Sequence, residues 1–543
     1  MLKPVQHDRN CMFTDKLSLL KKFFLIILFF LFLYFSFRTL QSHIFSIHFV
    51  DEDENMIAGH YMAQGKKLYS EIFSHKQPMP AVFSALINKT LKPNSLFLFI
   101  KRHREAVFFY SVFWYLVFLI EFGWSGLVFS IAIEISKRFL LGDLFLAESL
   151  VIFPLVYVLG CLWRLNWKKY DLSGLRKLLF LFSLILIPFQ LFILIPFTAI
   201  LVFYLFLRER FKKRLFISFF VIFMIFFLVF LPFVSYFDYF FNTKAAIMTH
   251  YLKDTINKGL FEQFSLAFLR PFVIAISFPK TEFGLFVWFL SIIYLLSFIY
   301  LFFKKRKKRV FLFFTFLLLG FANLRPEQIE ATFYGGFHGL PWFSLIILLM
   351  TIQIREIISL WNKEKKTFFS FIVVSLAFLT LIYSGNFLIK DYFRKVDRER
   401  DFWVNFSQFL GIGRVIKTLS NNGDKLMTIP VEQILYFSSG LTPQNRFLYT
   451  YEWIFSNEKL KNELKMDLEK NPPNFVYYDY ASVGNEARIL FDLTLKNYVQ
   501  LKNNDTTSNL LVKSDRLDNL EDWQIKGIKT FGFTIPGWED KKE

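Results

Sequence analysis

Uncharged apolar runs recur along this chain at lengths that suit a lipid bilayer, and they leave few folds open. Neither Phe23 to Phe37 nor Leu178 to Leu207 contains a charged residue, and a helix needs about 20 such residues to cross a hydrocarbon core. The chain therefore reads as an α-helical polytopic membrane protein. Composition agrees, since 54% of residues are hydrophobic and 77 of 543 are Phe. The net charge of +20 comes largely from clusters between the apolar runs: Lys21-Lys22, Lys101-Arg102-His103-Arg104, Lys137-Arg138, Lys168-Lys169 with Arg176-Lys177, Arg208 to Arg214, Lys304 to Arg309 and Lys363 to Lys366. Positive residues in such places hold loops in the cytoplasm, so topology explains the charge better than a nucleic-acid ligand does.

If every cluster is cytoplasmic, each segment between two of them goes out and returns. The sequence predicts a helix over 23–40, an outer loop over about 41–77 and a return from Pro78 to about Ile100. Residues 105–136 form a hairpin turning near Glu121 to Trp124, and 178–207 another turning between Pro188 and Pro196. Both are short for two full crossings, and half-crossings need protein to cover their backbone. Further on, 215–235 runs out, 236–282 is an outer loop, and 283–303 returns. Then 310–324 runs out, His338 to about Ile354 returns, and Thr367 to about Leu388 exits. That parity puts 41–77 and everything after about 390 together outside, with the N-terminus in the cytoplasm. The first apolar run resembles a signal, but no small-residue cleavage site follows it, so it reads as a retained helix.

Residues 1–389 thus form a membrane domain, and 390–543 differ in kind. Charged residues, Asn, Gly and Pro separate short apolar strands at Leu426-Met427-Thr428-Ile429 and Phe475-Val476-Tyr477-Tyr478, with helical spacing from Asn457 to Leu468 between them. This is the pattern of a small soluble α/β domain. Two cysteines, Cys11 and Cys161, offer no disulfide framework or paired-Cys metal motif. A zinc-type His-Glu-x-x-His, a phosphate-binding loop and a dinucleotide glycine motif are all missing. Nucleotide-driven transport is therefore not expected.

The outer loop holds the chemistry. Asp51-Glu52-Asp53-Glu54 follows the first apolar segment, and Gly65, Tyr69, Glu71 and His75-Lys76-Gln77-Pro78 come after it. Insertion alone does not call for that arrangement. A solvated loop is the plain reading for Asp53 and Glu54, an interfacial anchor for Lys76, a helix C-cap for Gly65 and an interface aromatic for Tyr69. Two further groups contain ionisable residues at apolar borders. Asp143 and Glu148 flank the start of one run, and Arg325, Glu327, Glu330 and His338 lie in a Gly- and Pro-broken loop between two crossings. Arg325 there suits a phosphate, and His338 at a helix start suits a donor or acceptor.

The segment 51–78 resembles the first extracytoplasmic loop of the C-type membrane glycosyltransferases, in the branch of protein O-mannosyltransferases, lipid A aminoarabinose transferases and bacterial polyprenyl-phosphate-sugar transferases. Asp51-Glu52, Gly65, Tyr69, Glu71 and Lys76-x-Pro78 match that pattern, with Glu71 where Asp is commoner and Gln77 between Lys76 and Pro78. The resemblance implies a polyprenyl-phosphate-sugar donor, a lipid, glycan or protein acceptor outside the cytoplasm, inversion at the anomeric carbon, and a bacterial plasma membrane location. It carries Asp51 over as the catalytic carboxylate, with Glu52 beside it and Glu148 as a second acid. Lys76, helped by His75, falls where positive charge would meet the leaving phosphate, and Tyr69, Arg325 and His338 are the other substrate-binding candidates. No cofactor is indicated, although a divalent cation fits such chemistry. A transporter or lipid flippase would instead place charges deep in several helices. A non-catalytic envelope-assembly protein would make the loop carboxylates dispensable.

Overall fold

The computed structural model describes residues 8–137, 140–165, 174–207, 213–246, 308–323, 337–361 and 397–538 apart from Asp505, with isolated positions between 262 and 303. Within these, the chain is mainly helical with one small sheet near its C-terminus. The helices are α1 (Asp8–His43), α2 (Val50–Ala63), α3 (Pro78–Leu91), α4 (Leu96–Phe122), α5 (Trp124–Lys137), α6 (Ala147–Leu165), α7 (Gly174–Gln190), α8 (Ile195–Leu207), α9 (Lys213–Phe230), α10 (Tyr236–Ala246), α11 (Arg309–Asn323) and α12 (Leu340–Trp361). The last helix of the proposed membrane domain, Thr367 to Leu388, lies outside the described residues.

Four stretches are long and apolar enough to cross a membrane: Phe23–His43, Leu96–Phe122, Ala147–Arg164 and Phe337–Arg355. The last two are largely enclosed, whereas the first is mostly exposed. Phe30 on α1, Phe109 and Phe113 on α4, Phe203 on α8 and Phe220 and Val229 on α9 all point away from the core. So much outward apolar surface needs an apolar surrounding.

Ion pairs define the two ends of this bundle. At one end Arg104, near the start of α4, donates to the carbonyls of Ile44 (2.7 Å) and Ile47 (2.8 Å), just past α1. At the opposite end Glu121, where α4 finishes, pairs with Arg164 (2.9 Å) and Arg176 (3.0 Å), and Lys308 donates to the Trp163 carbonyl. This corrects the expected path through Pro78 to Ile100. Helix α3 has only 14 residues and packs along α2, so it does not cross the bundle. The Lys101 to Arg104 cluster consequently sits with α2, not at the opposite end. Lys137 is likewise no loop charge, because it is buried between Glu134 and Asp143 at 2.9 Å each. Sequence spacing alone could not tell a cation that caps a loop from one that is locked to a buried carboxylate.

The α4–α5 turn comes at Gly123, with φ of +60°, as the hairpin reading required. Helix α7 ends near mid-bundle, since Gln190 donates to the hydroxyl of Tyr110 (3.2 Å), which lies midway along α4. The short run 178–207 therefore turns at about mid-bundle, with Leu191 and Leu194 buried and Phe192 exposed in the turn.

The C-terminal part opens with α13 (Arg398–Leu419) and carries β1 (Lys425–Ile429), β2 (Thr442–Pro443), β3 (Phe475–Tyr478), β4 (Tyr498–Asn503), β5 (Thr506–Lys513) and β6 (Phe533–Thr534). The sheet order is β2-β1-β3-β5-β4-β6, with β1 parallel to β2 and β3 and the remaining pairs antiparallel. The parallel β1–β3 pair demands a crossover, which includes the helix Glu458–Lys470. Asn457 caps that helix by accepting from the Leu460 amide (3.2 Å), while Leu460, Leu464 and Leu468 are buried along one face. Both strands and this helix fall where the sequence placed them.

This domain sits directly on the α2 end of the bundle. Asn405 donates to the Phe45 carbonyl (2.8 Å), Tyr61 to that of Leu441 (2.9 Å), and the Phe73 amide to that of Arg446 (2.6 Å). The first loop and the tail therefore lie together at the α2 end of the bundle.

Candidate functional site

The acidic stretch is the first turn of a helix and not an open loop. Asp51, Glu52 and Asp53 begin α2, where the unpaired amides of a helix start favour negative charge. Successive helical residues face different directions, so Glu52 and Asp53 turn away from each other and from Asp51 and Glu54, which lie three apart on one face and share Lys76.

Asp51 meets Lys76. The ammonium lies 2.6 Å from Asp51 Oδ1 and 2.9 Å from Glu54 Oε2, and the Asp51 carbonyl is 3.5 Å away. All three of its protons thus have an acceptor within reach. Burial opposes ionisation of Asp51, but Lys76 outweighs it and holds the carboxyl below the usual range. Burial likewise works against the charged lysine, yet Asp51 and Glu54 hold its pKa well above the ordinary value. Glu54 is fully enclosed, and there burial wins over Lys76 and moves the carboxyl up. Asp51 keeps about a third of its side chain exposed (33%), against 2% for Glu54. It is the carboxylate of this pair that an incoming molecule can touch.

Opposite Asp51 stand Glu148 at the start of α6 and His338 just before α12. His338 Nδ1 is 3.3 Å from Glu148 Oε1, and both groups exert their fields on Asp51. Four predicted site residues, Asp51, Lys76, Glu148 and His338, therefore converge from distant parts of the chain. Asp143 does not join them, because Lys137 holds it. Arg325, Glu327 and Glu330 lie outside the described residues.

Glu52 is placed elsewhere. Its carboxylate takes a fork from Arg104 (Nη2 at 2.5 Å, Nε at 3.0 and 3.2 Å) and accepts from the Phe145 amide at 2.9 Å, with almost no exposure. It ties α2 to α4 and to the loop before α6, which corrects its pairing with Asp51 as a reacting group. Tyr69 is also corrected: it is fully buried, and its hydroxyl donates to the Lys76 carbonyl (2.8 Å). The residue supports the lysine and has no surface for a substrate. His75 Nδ1 lies 2.8 Å from the Tyr449 hydroxyl, with its ring against Trp453. It joins the first loop to the C-terminal domain.

The glycine of the motif is a cap. Gly65 follows α2 with φ of +97°, in the left-handed region that ends helices at low cost. A second glycine escaped the sequence reading. A Cβ on Gly59 would come 2.3 Å from the Ser84 side chain, so only glycine lets α2 and α3 approach so closely. Glu71 accepts from the Lys67 amide (2.8 Å) and closes the turn after α2.

Asp53 was read as solvated, but it is buried and paired with His48 at 2.6 Å. Burial works against a charged His48, and Asp53 outweighs it, so the imidazole titrates above its ordinary value. Glu432, in the loop after β1, approaches the same ring at 3.9 Å. Nothing in the sequence relates residue 432 to residue 48, so this cluster was invisible before folding. Among the described residues, an apolar cavity near Phe118, Phe122 and Trp163 lies at the opposite end of the bundle and includes neither Asp51 nor Lys76. Models of known protein families give no match to the chain, and no characterised protein sequence matches it.

Proposed function

We propose that this chain is a GT-C-like polytopic membrane glycosyltransferase that moves a sugar from a polyprenyl-phosphate donor to an acceptor on the side of the membrane facing its C-terminal domain. The observation that carries the reading is Asp51. It is an ionised and partly exposed carboxylate, fixed by Lys76 and facing Glu148 and His338 where an apolar bundle meets a soluble domain. The outward apolar side chains of α1, α4, α8 and α9 support a bilayer around the bundle, and the 51–78 pattern supports the donor class.

In this account the acceptor hydroxyl or amine attacks the anomeric carbon while the bond from that carbon to the phosphate oxygen breaks. Asp51 orients the acceptor and receives its proton, and the bonding electrons leave with the phosphate. Lys76 keeps Asp51 ionised between turnovers. Because its protons already have acceptors, its field, together with that of His338, is what stabilises the leaving phosphate. Glu148 holds His338 in place.

The test is mass spectrometry of lipid extracts and envelope glycans from cells lacking the protein. The account expects a polyprenyl-phosphate sugar to accumulate and one glycan or lipid modification to disappear. Unchanged profiles in both fractions would count against it.

A further inference from the structure

His48, Asp53 and Glu432 come from three places: the segment before α2, its first turn, and the loop after β1. Their ligand atoms, one imidazole nitrogen and two carboxylate oxygens, all lie within 4.8 Å of one another. Zinc binds such atoms at about 2.0–2.2 Å in tetrahedral geometry, so two ligands on one ion stand roughly 3.3–3.6 Å apart. The His48 to Glu432 separation of 3.9 Å closes slightly on binding, and the His48 to Asp53 separation of 2.6 Å opens by roughly 0.7 to 1 Å through side-chain rotation.

A second observation points to a ligand. Glu432 Oε2 is buried and has no hydrogen-bond partner among the described residues, which is costly for a carboxylate oxygen. The residue also holds φ at +82°, unusual for a side chain of this kind. Phe406 and Phe409 of α13 wall the imidazole, with ring centroids 5.5 and 4.5 Å away. With the imidazole in the neutral form that binds a metal, the two carboxylates carry two negative charges in a poorly solvated place, and a dication neutralises both. The nearest strong cation, Arg104, is already committed to Glu52.

We propose that His48, Asp53 and Glu432 bind a divalent transition-metal ion of the zinc type, which fastens the C-terminal domain to the first turn of α2. One nitrogen and two oxygens suit Zn²⁺ better than Mg²⁺ or Ca²⁺, which favour all-oxygen sets. The ion is structural. It fixes the helix turn that presents Asp51, and its presence does not depend on the transfer reaction.

The experiment uses the full chain purified in detergent, stripped with EDTA, exposed to Zn²⁺ and freed of excess ion, with metal content read by plasma mass spectrometry. The wild type should retain about one Zn²⁺ per chain and melt several degrees higher when loaded. Glu432→Gln and Asp53→Asn should each lose most of that zinc and the melting increment. Glu432 lies on a partly exposed loop, so its variant keeps the fold even where the buried Asp53→Asn does not. A wild type that retains no zinc, or a Glu432→Gln protein that retains as much as wild type, would overturn the site. So would preferential retention of Mg²⁺ or Ca²⁺ in parallel loadings.

Discussion

The Lys76 ammonium lies 2.6 Å from Asp51 Oδ1, across 25 residues of sequence, with a second carboxylate, Glu54, at 2.9 Å. One cation thus serves two acids of unequal character. Asp51 is held ionised and partly open, while Glu54 is enclosed and pushed toward its neutral form. In the proposed transfer, that inequality separates the residue that meets substrate from the one that supports it.

Removing the cation should therefore change the acid limb of activity. Lys76→Ala should lower transfer on the order of 10²-fold and move the acidic limb of the pH–rate profile upward, because burial then acts on Asp51 against the field of His338 alone. Lys76→Arg should recover part of the rate and keep the limb low, since its charge survives although its planar fork differs. A pH profile unmoved by Lys76→Ala would show that the pair does not control Asp51.

The same shift makes a statement about stability. A carboxyl whose folded pKa is depressed contributes stability that is present above its unfolded value, about 3.9, and is lost as pH falls through the folded value. Asp51→Asn removes that contribution. Its melting temperature should then fall less than that of wild type between about pH 6 and about pH 3, as circular dichroism or scanning fluorimetry would show.

Glu52 and Arg104 predict a structural failure. Their forked pair is buried on both sides, and breaking one partner of such a pair costs about 3–5 kcal/mol. Arg104→Ala should give poorly folded protein, and Arg104→Lys should restore little, because a lysine cannot reach the Glu52 fork and the Ile44 and Ile47 carbonyls together. Detergent-extracted yield and thermal stability read this out.

The close approach at Gly59 gives a sharper packing test. Gly59→Ala places a methyl where the Ser84 side chain and the Ala81 carbonyl already stand, and overpacking of this kind costs typically 1–3 kcal/mol. The double variant Gly59→Ala/Ser84→Gly should regain part of the loss by vacating the space. Equal stability of the two variants would place the strain elsewhere.

The periodic and compositional parts of this fold were legible in the sequence. Apolar runs marked the long helices, Gly123 marked the hairpin, and β-branched and aromatic strands marked Leu426 to Ile429 and Phe475 to Tyr478. What failed was the sidedness of Lys101 to Arg104 and of Lys137, because a basic cluster reads the same whether it faces water or a buried carboxylate. The site was half legible. Asp51, Lys76, Glu148 and His338 were named and do converge, whereas Glu52 and Tyr69 were assigned to chemistry and turned out to hold the framework. His48 and Glu432 gave no local signal, since only tertiary contact makes them neighbours.

If the proposed function holds, the Asp51 carboxylate performs transfer and is not merely part of the fold. Cells lacking the protein should be complemented with wild type or with Asp51→Asn, checked for equal membrane abundance, and their polyprenyl-phosphate sugars quantified by mass spectrometry. Wild type should clear the accumulated lipid-linked sugar, and Asp51→Asn should leave it at the level of the deletion, a loss on the order of 10²-fold or more in transfer. Clearance by Asp51→Asn equal to that by wild type would contradict the claim.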